Sequence, residues 1–333
     1  MKIITFVDWG ISCTYTTLGW GIQGLPKYLN CETKLYDYNT ELKTFRIDSD
    51  SSNDIIVVFE IGNPQHAGLN TEHLRYWFPN AKLVALCCDT QYYQYNNLNP
   101  QMNPAGIDLH LELTISGCEW LKSKGAPNVD WWLWSISDKL IDFAYQFKKK
   151  YNNGIGFHKD KKTTDFIGVY HPGTISNKDG WRYKAIKHLE SNNLTFTQGG
   201  GCGHEDTGLE RLFEHYIKSW FTLGTTSHNR PELTEKQGSK FFRDELGPIL
   251  DSLLIYDGCE NTRRKYGDAS VPFYDYYNNE SIIDIYKKLH DKPEYYELLN
   301  KQKTWVLNNS FEQRLIKTLL KHKFISDKDL KCT

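Results

Sequence analysis

The stretch SKFFRDELGPILDSLLIYDG, residues 239 to 258, sets Lys240, Arg243, Asp244 and Glu245 at what reads as a helix start, directly before an apolar strand. Such a set suits anion chemistry. A guanidinium is a planar fork that can give two hydrogen bonds to one phosphate, and a helix N-terminus adds backbone N–H groups. Arg182 stands in a comparable place, just after HPGTISNKDGW, where a second helical stretch begins. Gly199, Gly200 and Gly201 follow a strand, and a glycine loop lets backbone approach a ligand without a side chain in the way. Each has a plainer reading, a solvated arginine or a simple turn.

Carboxylates that close apolar strands are the second group. Asp8 ends KIITFVD, Glu60 lies in DIIVVFEIG and Asp89 ends KLVALCCD. At the carboxyl end of a parallel strand an acid can serve as a general base, or simply cap the next helix. Gly10, in VDWGIS, lets a loop pass close to a ligand or makes an ordinary turn. Asp48 and Asp50 have the Asp-x-Asp form of a metal site, but the surrounding RIDSDSSND reads as a solvated loop, so no metal ligand is assigned. Eight cysteines without a Cys-x-x-Cys pair point to reduced thiols and away from zinc.

The elements that must position these groups alternate. KIITFVDWG, DIIVVFEIG and AKLVALCCDT are short apolar runs closed by turn residues, with longer polar stretches between them. Strands separated by helical segments pair in parallel, so the fold class is α/β. FKKKYNNGIGFHKDKKTTD, 147 to 165, reads as an interdomain linker. The alternation restarts with TTDFIGVYHPG, GWRYKAIKHLESN, LTFTQGGGCG, LERLFEHYIKSW and FTLGTTS, and ends in two helical stretches, roughly 280 to 308 and 311 to 323. In the last, Phe311, Leu315 and Leu319 share one face.

A chain of 333 residues with 39% hydrophobic and 24% charged side chains forms folded domains, about two of them at roughly 150 residues each. No apolar run is long enough to span a membrane and no secretory signal opens the chain, so a cytoplasmic location is expected. The net charge of −1 is unevenly spread. Residues 1 to 147 hold 10 basic and 16 acidic side chains, whereas 148 to 190 hold 10 and 4.

The second half, about 165 to 325, resembles the donor domain of GT-B glycosyltransferases, through the ordered series DFIGVYHPG, GWRYKAIKHLE, LTFTQGGG, KFFRDELGPILDSLLIYDG and VPFYDYYNNESIIDIYKKLHDKPEYYELLNKQKTWV. The first half is similar to bacteriophage DNA β-glucosyltransferases, through KLVALCCDTQYYQYN. The resemblance implies two facing Rossmann-like domains with a central cleft. Residues 1 to 150 are then the acceptor domain, 160 to 310 the nucleotide-sugar domain, and 311 to 333 a helix packing back across the junction.

It also implies roles. Lys240, Arg243 and Arg182 meet the phosphates of a nucleotide-sugar, probed best as a UDP-sugar, Gly200 approaches the nucleotide, and Glu245 accepts hydrogen bonds from ribose. Here Asp244 alone separates Arg243 from Glu245, where the family pattern has two residues. Asp89 is the implied base of an inverting transfer, with Gly10, Tyr92 and Tyr93 against acceptor or sugar. No cofactor is required, and a divalent cation, Mg or Mn, is compatible. The expected acceptor is a hydroxymethylated base in double-stranded DNA, placing the protein in host cytoplasm if viral. The aromatics of QYYQYNN and of WWLW, 131 to 134, suit a base turned out of the duplex, a sugar ring, or the core. The acidic first half speaks against DNA, since a duplex calls for a basic surface. A transferase acting on a glycan, protein or small molecule, and a non-catalytic nucleotide-binding module, are the other readings.

Overall fold

The computed structural model describes residues 1–7, 18–37, 47–61, 71–87, 104–113, 115–132, 134–170, 176–199, 208–225 and 242–331. The chain divides into two compact units, one of residues 1–138 with 311–333 and the other of 139–310.

In the first unit six strands pair in parallel: β1 (Lys2–Val7), β2 (Glu32–Asp37), β3 (Ile55–Ile61), β4 (Lys82–Cys87), β5 (Leu109–Glu112) and β6 (Val129–Trp131). Their spatial order is β2-β1-β3-β4-β5-β6. Central strands with both faces covered need apolar side chains at every position rather than at alternate ones. That is why Ile55, Ile56, Val57, Val58 and Phe59 are all buried in succession. The helices α1 (Trp20–Gly24), α2 (Thr71–Trp77) and α3 (Ile115–Ser123) connect strands, and Leu74 and Trp77 of α2 join Ile4, Phe6, Val57, Phe59, Leu83 and Ala85 in one core.

The second unit begins with α4 (Asp138–Asn152), whose remaining residues from Lys139 belong to it. Five parallel strands follow, β7 (Thr164–Gly168), β8 (Phe196–Gln198), β9 (Ser219–Leu223), β10 (Leu253–Asp257) and β11 (Phe273–Tyr274), in the order β11-β10-β9-β7-β8. Helices α5 (Trp181–Ser191), α6 (Leu209–Lys218), α7 (Leu246–Ile249), α8 (Glu260–Tyr266), α9 (Glu280–Leu289) and α10 (Pro293–Leu307) accompany them. The final helix, α11 (Phe311–Lys321), belongs to the first unit, where Phe311, Leu315 and Leu319 are buried.

Two expectations change. The stretch 147 to 165 is not a free linker: α4 runs through it to Asn152, and Ile141, Ala144, Lys148 and Asn152 form its buried face at helical spacing. The helix ends where Asn153 takes a left-handed conformation (φ 55°) and Gly154 N–H returns to the Lys149 carbonyl, a Schellman closure. Residues 280 to 308 are two helices rather than one. Pro293 has no N–H to continue a helix and disfavours helical geometry at Lys292, so α10 restarts with proline in its first turn.

Candidate functional site

Ligands of parallel α/β sheets gather at the carboxyl ends of the strands. In the second unit that edge is a buried polar cluster. Beyond β9, the Gly224 carbonyl accepts the Tyr274 hydroxyl at 2.7 Å, and the Leu223 carbonyl accepts Tyr170 at 2.6 Å. Thr225 donates to Asp257 Oδ2 at 3.0 Å, and Thr262 donates to the Asp257 carbonyl. A Cβ on Gly224 would lie 2.2 Å from the Tyr256 ring and 3.1 Å from Asp244 Oδ2, so only glycine fits there. Every polar group in this cluster that is cut off from water needs such a partner.

Arg182 sits in the first turn of α5, buried, its guanidinium 4.7 Å from the centre of the Tyr170 ring. Asp244 and Glu245 close the 3-10 turn Phe242–Glu245 that feeds α7. Both are buried. The Glu245 carboxylate pairs with Lys265 Nζ of α8 at 2.7 Å and accepts the Tyr266 hydroxyl at 3.4 Å. Burial pushes the Asp244 carboxyl up to about 8, opposed by Lys265, a bond from Tyr256 and Arg182, and reinforced by Glu245. Burial also raises the Tyr170 phenol, with Arg182 acting against it. The edge therefore holds cations and acids close together, shielded from water, where a fixed dipole or charge acts strongly on a ligand.

Of the residues singled out in the sequence, Arg182 lies at this edge and Glu245 just behind it, turned to Lys265. The structure describes the backbone of Arg243 in the same turn. Gly199 follows β8, its N–H bonded to the Gly168 carbonyl at 3.0 Å. Gly200, Gly201, Lys240, Gly10, Asp8, Asp89, Tyr92 and Tyr93 lie outside the described residues. Sequence reasoning passed over Asp257, although it closes SLLIYD as Asp89 closes KLVALCCD in the sequence, and over Lys265 and Tyr170, whose importance shows only in contact.

At the carboxyl edge of the first sheet, Glu60 near the end of β3 and Glu112 at the end of β5 are both buried. Glu112 bonds the Cys87 thiol, which burial raises, and with burial it pushes Cys118 up to about 12. Glu112 closes LHLE by the rule that picked Glu60, so the sequence did carry the signal. Asp50 accepts Lys2 at 2.6 Å and the Ser52 N–H and hydroxyl at 3.0 and 2.6 Å, an ion-paired turn. Trp132 and Trp134 are buried and pack on Phe311, with ring centres 5.6 and 6.2 Å away, so these two rings of WWLW belong to the core rather than to a stacking surface.

Part of the basic stretch 148 to 190 is engaged by its neighbours. Lys148 pairs with Asp251, Lys187 with Glu190 and Lys159 with Asp291, and Lys162 donates to the carbonyls of Ser219 and Asp251. A local excess of lysine in sequence is thus not a basic surface of the same size.

No protein-family profile matches the chain, and no curated protein matches it in sequence. Solved structures do match over nearly the whole length. A trehalose-6-phosphate synthase studied for glycosyl transfer with retention is 9% identical with a TM-score of 0.62, covering 98% of this chain and 99% of that one. The Candida albicans trehalose-6-phosphate phosphatase N-terminal domain is 11% identical with a TM-score of 0.61, covering 96% of each. A UDP-GlcNAc 2-epimerase from Neisseria meningitidis, bound to UDP-GlcNAc, is 13% identical with a TM-score of 0.51, covering 96% and 100%. With its two parallel sheets and their flanking helices, the chain has the α/β GT-B fold, shared with glycosyltransferases and related sugar-nucleotide enzymes.

Proposed function

We propose that the protein is a glycosyltransferase that moves a sugar from a UDP-sugar to a hydroxyl acceptor. The observation that carries the reading is the buried polar edge of the second sheet, with Arg182 over Tyr170, in a fold shared with enzymes of sugar nucleotides. As the glycosidic bond breaks, charge grows on the departing diphosphate and needs donors already in place. Arg182, Arg243 and Lys240 supply them, and Gly200 brings backbone N–H groups to the nucleotide. A ribose contact assigned to Glu245 requires its carboxylate to reach beyond Lys265.

On the acceptor side, Asp89 follows the end of β4 by two residues and is the proposed base. Attack opposite the diphosphate inverts the anomeric centre. The proposed acceptor is a hydroxymethylated base in DNA, with Tyr92 and Tyr93 against the extruded base and Gly10 giving close approach. What supports this narrower part is the sequence KLVALCCDTQYYQYN; the pairing of Lys148, Lys159 and Lys187 with carboxylates weighs against it.

Incubation with a panel of nucleotide-sugars and with hydroxymethylated or ordinary DNA, followed by mass spectrometry, tests both parts. One added sugar per modified base is the expected result, with the inverted linkage by NMR and turnover lost by about 10² or more in Asp89→Asn. Transfer to glycan, protein or small-molecule acceptors alone would replace the DNA reading. Binding of a nucleotide with no transfer to any acceptor would favour a non-catalytic module. A retained configuration would sink the inverting mechanism, and loss of activity with EDTA, restored by Mg or Mn, would establish the metal.

A further inference from the structure

The two acids of the turn Phe242–Glu245 are turned into the protein. Glu245 and Lys265 meet at 2.7 Å with both side chains at most 1% exposed, and Tyr266 donates to the same carboxylate oxygen. Asp244 is held from the other side by Tyr256 of β10, next to Gly224 at the end of β9. A turn four residues long is therefore tied down through consecutive side chains, and Arg243 stands in that turn. A buried ion pair adds little net stability, because desolvation offsets most of the attraction. What it imposes is an arrangement, since any shift of the turn separates two charges that water cannot reach.

We infer that Lys265 is a positioning residue of the donor site: through Glu245 it fixes the backbone of the turn from which Arg243 meets the donor diphosphate. This rests on the glycosyltransferase reading above. Lys265 itself does not touch the donor. Its effect passes through α8 to the turn, so it should be felt only where Arg243 is present to make use of it.

Removing Lys265 alone leaves a buried carboxylate without its cation. The informative variant therefore makes the pair apolar, Lys265→Met together with Glu245→Leu, an exchange that buried pairs tolerate. UDP is the probe, titrated calorimetrically into the full chain, with thermal melting as the control for folding. The paired variant is expected to melt near the wild-type temperature and to bind UDP about tenfold more weakly. In an Arg243→Ala background the same exchange should cost less than about twofold, because both changes act through one turn. If the paired variant does not fold, Glu245→Gln, which keeps the shape and an acceptor for Lys265, is run through the same cycle and should lose about threefold. Unchanged UDP affinity in a folded variant overturns the inference and leaves the glycosyltransferase reading in place. A tenfold loss that persists in full without Arg243 overturns it as well. Wild-type protein that binds no UDP overturns that reading and the inference with it.

Discussion

Both carboxylate oxygens of Glu312, the second residue of α11, accept the backbone N–H of Asp138, at 3.2 and 3.0 Å, a contact within the first unit. Glu312 is fully buried. Burial pushes its carboxyl up to about 8, the charge of Asp138 acts in the same direction, and the N–H bonds oppose both. The folded pKa thus lies above the ordinary 4.5. Between these values the folded chain holds a proton that the unfolded chain has lost, so stability falls as pH rises from about 4.5 to about 8. Glu312→Gln removes that dependence. We expect the variant to melt about 2–4 °C above wild type at pH 8, with the gap closing towards pH 5. A gap that does not change with pH would contradict the assignment.

Asp251 gathers two lysines. Lys148 meets its Oδ2 at 2.7 Å and Lys303 its Oδ1 at 2.5 Å, with Lys148 and Asp251 both buried. Asp251 also has φ 68°, a conformation that asparagine tolerates, so Asp251→Asn isolates the charge from the backbone. It leaves Lys148 buried without its anion and should cost about 3–5 kcal/mol in urea melts. Lys148→Met leaves Asp251 with Lys303 and should cost clearly less. Equal losses would show that the pairing is not what holds this corner.

Arg182 is expected to serve the donor through its shape as well as its charge. Lysine keeps the charge but loses the planar fork and the stack on Tyr170. Arg182→Lys should therefore weaken UDP binding by about tenfold, with Arg182→Ala at least as severe. Titration of the two variants beside wild type decides it, and a lysine variant that binds normally would reduce Arg182 to a point charge.

The C-terminal segment should be part of the first unit rather than an appendage. The Phe311 ring meets Trp132 nearly edge-on, at an interplanar angle of 89°, and a Cβ on Gly21 would lie 2.2 Å from it. Lys321 and His322 reach Asp130 at 2.6 and 2.9 Å. Phe311→Ala should cost about 3–5 kcal/mol. Residues 1–138 made alone should lack cooperative unfolding and regain it when 311–333 is attached; a cooperative melt of 1–138 by itself would refute this.

The α/β architecture was legible because its cause is local. A parallel strand covered on both faces must be apolar throughout, and IIVVF and KLVAL announce that condition residue by residue. The buried face of α11 was legible for the same reason, since Phe311, Leu315 and Leu319 recur at helical spacing. Arg182 could be picked out because a helix start follows a recognisable turn. Strands of three or two residues, such as β6 and β11, carry too few side chains to announce themselves.

Which way a charged side chain turns was decided only in three dimensions. Lys148 sits in a lysine run that looks solvated, yet its partner Asp251 lies 103 positions away and draws it inside. Glu245 reads as a ribose acceptor beside Arg243, yet Lys265 of α8 pairs with it where both side chains are buried. The aromatics of WWLW suit a flipped base, a sugar ring or the core, and Phe311 of α11 packs on Trp132 and Trp134 and decides for the core at those two rings. For Lys148 and Glu245 the helical turn itself follows from local sequence. The cost of burying a charge or leaving an aromatic ring in water is settled by partners that only the folded chain brings within reach.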